Sequence, residues 1–200
     1  TSSMPTGGIG LRSGPAMASE DSFSIKVTGR QTHGSRPWGG VDPIVASAQI
    51  INSVQTIISR QVDITKAPAV VSFGAINGGI RSNIIPDEVE LIGTIRTFDQ
   101  AMRADIKVKL AEIASNAAKT LGATATTEIQ PGYPVTVNNP ELVSKMRPVI
   151  ASVVGDNKLI EPGLITGAED FSYYALETPG MFFFLGVTPT DKDPSQVASN

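Results

Sequence analysis

Ser22-Phe-Ser-Ile-Lys-Val-Thr28 is the stretch that sets the fold. Phe23, Ile25 and Val27 alternate with Ser22, Ser24, Lys26 and Thr28, the period of a half-buried strand. A polar, Gly-containing loop follows, from Gly29 to Gly40. Asp42-Pro43 then opens a helix: the carboxylate caps free N–H groups, and proline suits the first helical position, where no hydrogen bond is lost. Ile44, Ala48, Ile51, Val54 and Ile58 recur at spacings of three and four, which predicts one apolar face running to about Arg60. Residues 69–76 read as a second strand and Gly78-Gly79 as a turn. In a third strand, Val89, Leu91 and Ile95 alternate with Glu88, Glu90, Thr94 and Arg96. A second helix starts after Thr97 or Asp99, carries the stripe Met102, Ile106, Leu110, Ile113, Ala117 and Leu121, and stops at Gly122. Residues 123–129, rich in Thr, form a fourth strand. The order from residue 21 to 130 is β-α-β-β-α-β, which predicts a ferredoxin-like α+β unit with two helices on one face of an antiparallel sheet. The alternative, an open α/β layer, fits the short unit and its hairpin-like connection less well.

The flanks read differently. Residues 1–19 are rich in Gly, Pro and Ser and predict a loop with one short strand; Gly8-Ile9-Gly10 is turn chemistry, since no helix and no Lys-Ser/Thr pair follow it. Beyond residue 130 come a short extended piece at 133–137 and a helix opened by Asn139-Pro140, running to about Val154 with Pro148 kinking it. A short strand at 158–160 and a loop at 166–171 follow. The apolar run Met181–Val187 predicts a strand buried on both faces of a parallel or mixed sheet. The tail from Thr188 is polar. The expected division is therefore 1–19, a linker and a piece of a catalytic domain; 20–130, the ferredoxin-like lid; and 131–200, a further part of an incomplete α/β domain. The flanks are expected to be too incomplete to close a core of their own, so the chain reads as a segment of a longer protein.

Composition narrows the function. The chain has 200 residues, of which 40 % are apolar, and its mean hydropathy of +0.04 is that of a folding sequence rather than a disordered one. No apolar run approaches the roughly 20 residues that a bilayer requires, and Thr1–Gly8 lacks the parts of a signal peptide. A cytoplasmic setting without membrane contact is expected. The net charge of −3, with no basic block, argues against a nucleic-acid partner. The absence of cysteine excludes disulfides and thiol nucleophiles, and the single histidine, His33, excludes a zinc site with two His ligands from one chain.

Few side chains remain for chemistry. His33, in a Gly-rich loop at a strand end, suits a donor to a developing oxyanion or a proton carrier, or is an ordinary loop histidine. Arg96 alternates onto the sheet face away from the helices. With Asn83 on the same arm it suits a carboxylate clamp, or it is a solvated surface arginine. Glu169 and Asp170 suit a metal or acid–base work, but read more simply as a helix start with Asp170 as its cap. Trp38 suits stacking on a substrate or plugging the loop.

Taken together, these segments resemble M20-type metallopeptidases and amidohydrolases, in the branch of hippurate hydrolases and N-acyl-amino-acid amidohydrolases. The resemblance rests on residues 23–44 with His33, Pro37, Gly40 and Asp42-Pro43, on Asn83-Ile-Ile-Pro-Asp-Glu88, and on Gly93-Thr-Ile-Arg-Thr-Phe98. Gly167-Ala-Glu-Asp-Phe-Ser-Tyr-Tyr174 and Pro179-Gly-Met-Phe-Phe-Phe-Leu-Gly186 extend it in register. It implies a catalytic domain carrying two divalent metal ions, zinc or manganese, into which a ferredoxin-like lid is inserted. It also implies a homodimer through paired lids. His33 is then expected to reach the partner's active site and stabilise the tetrahedral oxyanion. Asn83 and Arg96 are expected to bind the carboxylate end of the substrate, and Gly167, with Ala168, to line its pocket. Trp38 stands where many relatives have a second histidine, and no ligand role is carried to Glu169. The family's metal ligands have no counterparts in this sequence, so this chain alone is expected to bind no metal and to be catalytically silent. The expected function of the parent is metal-dependent cleavage of the amide bond of N-acyl amino acids or similar small amides. A non-catalytic ferredoxin-like module for dimerisation or small-carboxylate binding is the alternative.

Overall fold

The computed structural model describes residues 1, 4–189 and 191–193; most of the polar tail lies outside them. In chain order the elements are β1 (Ile9–Gly10), β2 (Gly14–Met17), β3 (Ser19–Thr28), β4 (Thr32–His33), α1 (Pro43–Thr56), β5 (Ala69–Gly78), β6 (Ile84–Ile85) and β7 (Glu88–Thr97). There follow α2 (Gln100–Thr120), β8 (Thr124–Pro131), β9 (Thr136–Asn138), α3 (Pro140–Val154), β10 (Leu159–Ile160), α4 (Phe171–Glu177) and β11 (Phe184–Leu185). The chain forms two compact units, Ser19–Gly132 and Thr1–Ala18 with Tyr133–Asn200. Among the described residues, no helix is long and apolar enough to cross a membrane.

The unit Ser19–Gly132 is a four-stranded antiparallel sheet in the order β5-β7-β3-β8, with α1 and α2 packed on each other and on the sheet. This is the ferredoxin-like arrangement. Phe23, Ile25 and Val27 of β3 and Val89, Leu91 and Ile95 of β7 are buried, as their alternation requires. Gly93 makes room in this layer. It lies between Phe23 and Phe73 in the register, whose rings meet edge to face at 5.3 Å, and a Cβ there would come within 2.3 Å of the Phe23 ring.

Both helices start where expected. Asp42 Oδ1 accepts from the N–H groups of Ile44 (2.8 Å) and Val45 (3.2 Å), and an Asp99 oxygen accepts from Met102 N–H (2.7 Å). The buried face of α1 differs from the expected one. It is Ala46, Ser47, Ile50 and Val54, continued by Ile57 in a wider π-type turn, while Ile44 and Ala48 are exposed. Ser47 passes as a core residue because its hydroxyl donates to the Pro43 carbonyl (2.7 Å). Apolar residues on two faces made the spacing ambiguous. In α2, Ile113 is half-buried and Leu121 is exposed at the C-cap, whereas Arg103 is buried.

Arg103 is the unexpected core residue. Its Nε and Nη2 donate to the two oxygens of Asp21, each at 2.7 Å, and Lys107 Nζ lies 2.7 Å from Asp21 Oδ1. Nη2 also reaches the carbonyls of Gly132 (3.1 Å) and Glu20 (3.3 Å). The guanidinium therefore ties α2 to both points at which the chain enters and leaves this unit. Gly132 is a glycine because a Cβ would meet Glu20 within 2.6 Å.

In the second unit, β1 pairs with β10 in parallel and with β11 antiparallel, and β2 pairs with β9. Asn139 caps α3 through Leu142 N–H (2.9 Å). A small core does form here, around Leu11, Val143 and Ile150, contrary to expectation. The run 181–187 is a mixed-sheet strand only at Phe184–Leu185, and it is not buried on both faces: Phe183, Leu185 and Val187 are each about half exposed. Residues of α3 pack with Ile9 and Leu159 on one side of this small sheet.

Burial pushes the Asp21 carboxyl up, but the bonds from Arg103 and Lys107 outweigh it and hold the group below its ordinary 3.8. A depressed folded pKa stabilises the fold fully above the unfolded value, and that stabilisation is lost as pH falls through the folded pKa. Removing one partner of such a buried pair costs about 3–5 kcal/mol. Arg103→Met is therefore expected to lower unfolding stability by that amount at neutral pH. Urea melts taken from pH 7 down through 3.8 should show a narrowing gap between wild type and variant; a constant gap would refute the assignment.

Candidate functional site

His33 stands on a ribbon that extends beyond the end of the sheet. The register of β3 with β7 runs out at Thr28 and Glu88, and β4 then pairs with β6, His33 opposite Ile84. Gly34 N–H donates to the Asn83 carbonyl (2.7 Å). The structure thus brings together His33, which reads as part of a loop in the sequence, and Asn83, expected on the arm of Arg96. The loop is closed at its neck by paired bonds between Arg30 and Val41 (2.9 and 3.0 Å). It is tightened inside by Arg36 N–H on the His33 carbonyl (2.8 Å) and by a short 3-10 turn, Pro37–Gly39. Gly40 belongs to the neck, because a Cβ there would lie 2.4 Å from the Arg30 carbonyl oxygen and 2.6 Å from Thr32 Cγ2.

The exposed parts of this arm are chemical. His33 and Asn83 are exposed, and Trp38 is 77 % exposed, so it does not plug the loop. His33 Nδ1 is 2.7 Å from Ser35 Oγ. Beside the ribbon lies an open groove of 460 Å³ lined by Gln31, Ile80, Arg81, Ile84, Pro86 and Asp87, among others.

Arg96 is elsewhere. It sits on β7 opposite Glu20 of β3 and Val70 of β5, half-buried, on the sheet face away from the helices. It lies eight residue steps along β7 from Glu88, about 26 Å at roughly 3.3 Å per residue. Within one chain, Asn83 and Arg96 are therefore at opposite ends of the sheet. Gly167 lies in the other unit, where its carbonyl accepts from Ala18 N–H (3.1 Å). Glu169 and Asp170 open α4, as expected, but the Asp170 side chain makes no capping bond; Glu169 provides it instead, its carbonyl accepting from Ser172 N–H (3.2 Å) and Ser172 Oγ (2.7 Å).

Residues 21–121 match the family model described as the peptidase dimerisation domain of M20 proteins. The chain belongs to the M20 peptidase family. It is 40 % identical to thermostable carboxypeptidase 2 of Saccharolobus solfataricus over 187 residues, 93 % of this chain and 47 % of that protein. It is 35 % identical to the N-acetyl-L-cysteine deacetylase of Bacillus subtilis over 187 residues, 94 % of this chain and 44 % of that protein. A crystal structure described as a dinuclear metal-binding peptidase of the M20 family, from Bacillus subtilis, superposes with a TM-score of 0.77 at 29 % identity, over 98 % of this chain and 49 % of that one. The chain spans about half the length of the curated relatives it matches.

Among the described residues, no three His, Cys, Asp or Glu side chains come together as a metal site. Glu169, the nearest candidate by sequence, has its Oε1 engaged by Asp170 N–H (3.1 Å). What this M20 chain carries is a braced histidine–asparagine arm and an arginine at the far end of the sheet.

The neck of the arm is directly testable. Gly40→Ala is expected to accelerate amide exchange at Val41 by about tenfold or more, since overpacking of this kind costs about 1–3 kcal/mol. Exchange in α2 should stay unchanged. An unaltered Val41 rate would mean that the neck is not closely packed.

Proposed function

We propose that the parent protein is a metal-dependent amidohydrolase of N-acyl amino acids. In it two lids pair so that His33 and Asn83 of one protomer serve the active site that Arg96 of the other also serves. The observation that carries this reading is the separation of about 26 Å between the two ends of β7, too long for one small substrate to bridge. An isologous pairing of two copies resolves it. If the edge strand β5 pairs antiparallel with its symmetry mate, the Asn83 end of one sheet lies beside the Arg96 end of the other. The exposure pattern supports β5 as that edge. Val70 and Ile76 on β5, Ile80 beyond it, and Ile44 and Val45 on α1 are exposed, whereas the opposite edge, β8, shows Thr, Glu and Gln. The names of the relatives, a carboxypeptidase and a deacetylase of an N-acetyl amino acid, both describe cleavage of an amide beside a carboxylate.

In such a site the roles follow from chemistry. The Arg96 guanidinium offers a planar fork to the substrate carboxylate, and the Asn83 amide adds a neutral donor. The His33 imidazole donates to the oxygen on which charge develops as the amide carbon becomes tetrahedral. The metal ions that activate water in this chemistry would be held by the half of the relatives' length that this chain does not match. Gly167 would leave room along the substrate pocket, with no Cβ to fill it.

Subunit mixing tests the arrangement. In the full-length parent, His33→Ala and Arg96→Ala homodimers are each expected to lose about 10²–10³ in kcat/KM. Mixed dimers of the two variants should regain up to half of the wild-type activity per dimer, because one of their two sites is intact. Mixed dimers as inactive as their parents would overturn the shared-site reading. The 200-residue chain alone, supplied with zinc or manganese, is expected to leave N-acetyl and N-benzoyl amino acids intact. Metal-dependent turnover by the pure chain would overturn the assignment of the metal ligands elsewhere.

A further inference from the structure

We infer that Ser35 is a positioning residue that fixes the tautomer of His33, keeping the proton of the neutral ring on Nε2. Two groups of Ser35 converge on one ring nitrogen: its Oγ is 2.7 Å from His33 Nδ1, and its backbone N–H donates to the same Nδ1 at 3.2 Å. A hydroxyl can donate or accept, so the first contact alone leaves the tautomer open. An amide N–H can only donate. Nδ1 must therefore present a lone pair, the hydroxyl must donate as well, and the neutral ring carries its proton on Nε2. The bracing is local and complete. Gly34 N–H is held by the Asn83 carbonyl (2.7 Å), and Arg36 N–H by the His33 carbonyl (2.8 Å), so the residues on both sides of Ser35 are tied down. His33 is exposed, and its Nε2–H is the donor that this tautomer offers. The functional consequence rests on the proposed oxyanion role: a donor already in the required tautomer needs no proton shift before reaction.

The single histidine of this chain makes the test unambiguous. Imidazole ¹⁵N spectra at about pH 8.5, above the ordinary histidine range near 6.5, report each ring nitrogen separately. The 200-residue chain is expected to show a protonated Nε2 and an unprotonated Nδ1. Ser35→Ala keeps the backbone N–H but loses the hydroxyl donor, so both signals should move part of the way toward a tautomer mixture, and Ser35→Thr should restore them. A wild-type ring protonated on Nδ1, or a Ser35→Ala spectrum identical to wild type, overturns the inference. In the full-length parent, Ser35→Ala is expected to lower kcat about 2- to 10-fold, the loss of one ordinary hydrogen bond, with KM held and with rescue by Ser35→Thr. If the spectra behave as expected but kcat does not move, the tautomer assignment stands and the oxyanion role of His33 falls.

Discussion

The buried carboxylate of Asp21 is the constraint on which the lid depends. An isolated charge in that position would be prohibitive, so the fold brings two cations to it, Arg103 and Lys107 from successive turns of α2. The guanidinium satisfies its remaining donors on the carbonyls of Glu20 and Gly132. One side chain thereby fixes the helix, the first strand and the last strand at a single point. Apolar packing alone would hold these elements together without specifying their register as sharply, because one apolar neighbour substitutes for another while a bidentate ion pair does not. The cost is sensitivity: each partner is more damaging to lose than the pair was favourable to form.

Much of the lid was legible because its elements obey simple periods. The alternation of Phe23, Ile25 and Val27, the Asp42-Pro43 and Asp99 caps, and Gly122 at a positive φ of 76° each give a local instruction that the fold obeys. The face of α1 was misread for a physical reason. A helix with apolar residues on two faces has no unique stripe, and the choice between Ile44/Ala48/Ile51 and Ala46/Ile50/Val54/Ile57 is made by the sheet rather than by spacing. The exposed Ile44 and Val45 are what a helix shows when its second apolar face is kept for another surface. Arg103 escaped notice because nothing in a helical stripe marks an arginine as buried until its partner, 82 residues away in the chain, is known.

The geometry of the candidate site was not legible in the sequence. His33, Asn83 and Arg96 are the residues that the chemistry singles out, yet the pairing of β4 with β6 joins segments about fifty residues apart, and each strand is two residues long. Strands that short carry no period. They pair beyond the end of the β3–β7 ladder, in a register shifted from it by one residue. The Ser35 contacts lie below even that level, since they depend on a turn closed by backbone bonds that leave no trace in composition.

The sheet acts as a ruler. Its strands are tied at one end by Asp21 and Arg103 and prolonged at the other into the His33 arm, so the distance between the arginine and the histidine cannot shorten without breaking the register. About 26 Å of strand between Glu88 and Arg96 sets Arg96 at the end of β7 away from the arm within one chain. In the proposed pairing, a two-fold axis beside the edge of the sheet would exchange its two ends. A flexible arm would need to be ordered at each turnover, at an entropic cost. A braced arm that met a partner's sheet in the proposed way would incur that cost once, on assembly. On the proposed reading, dimerisation and catalysis would share one structural device, the braced arm at the end of the sheet.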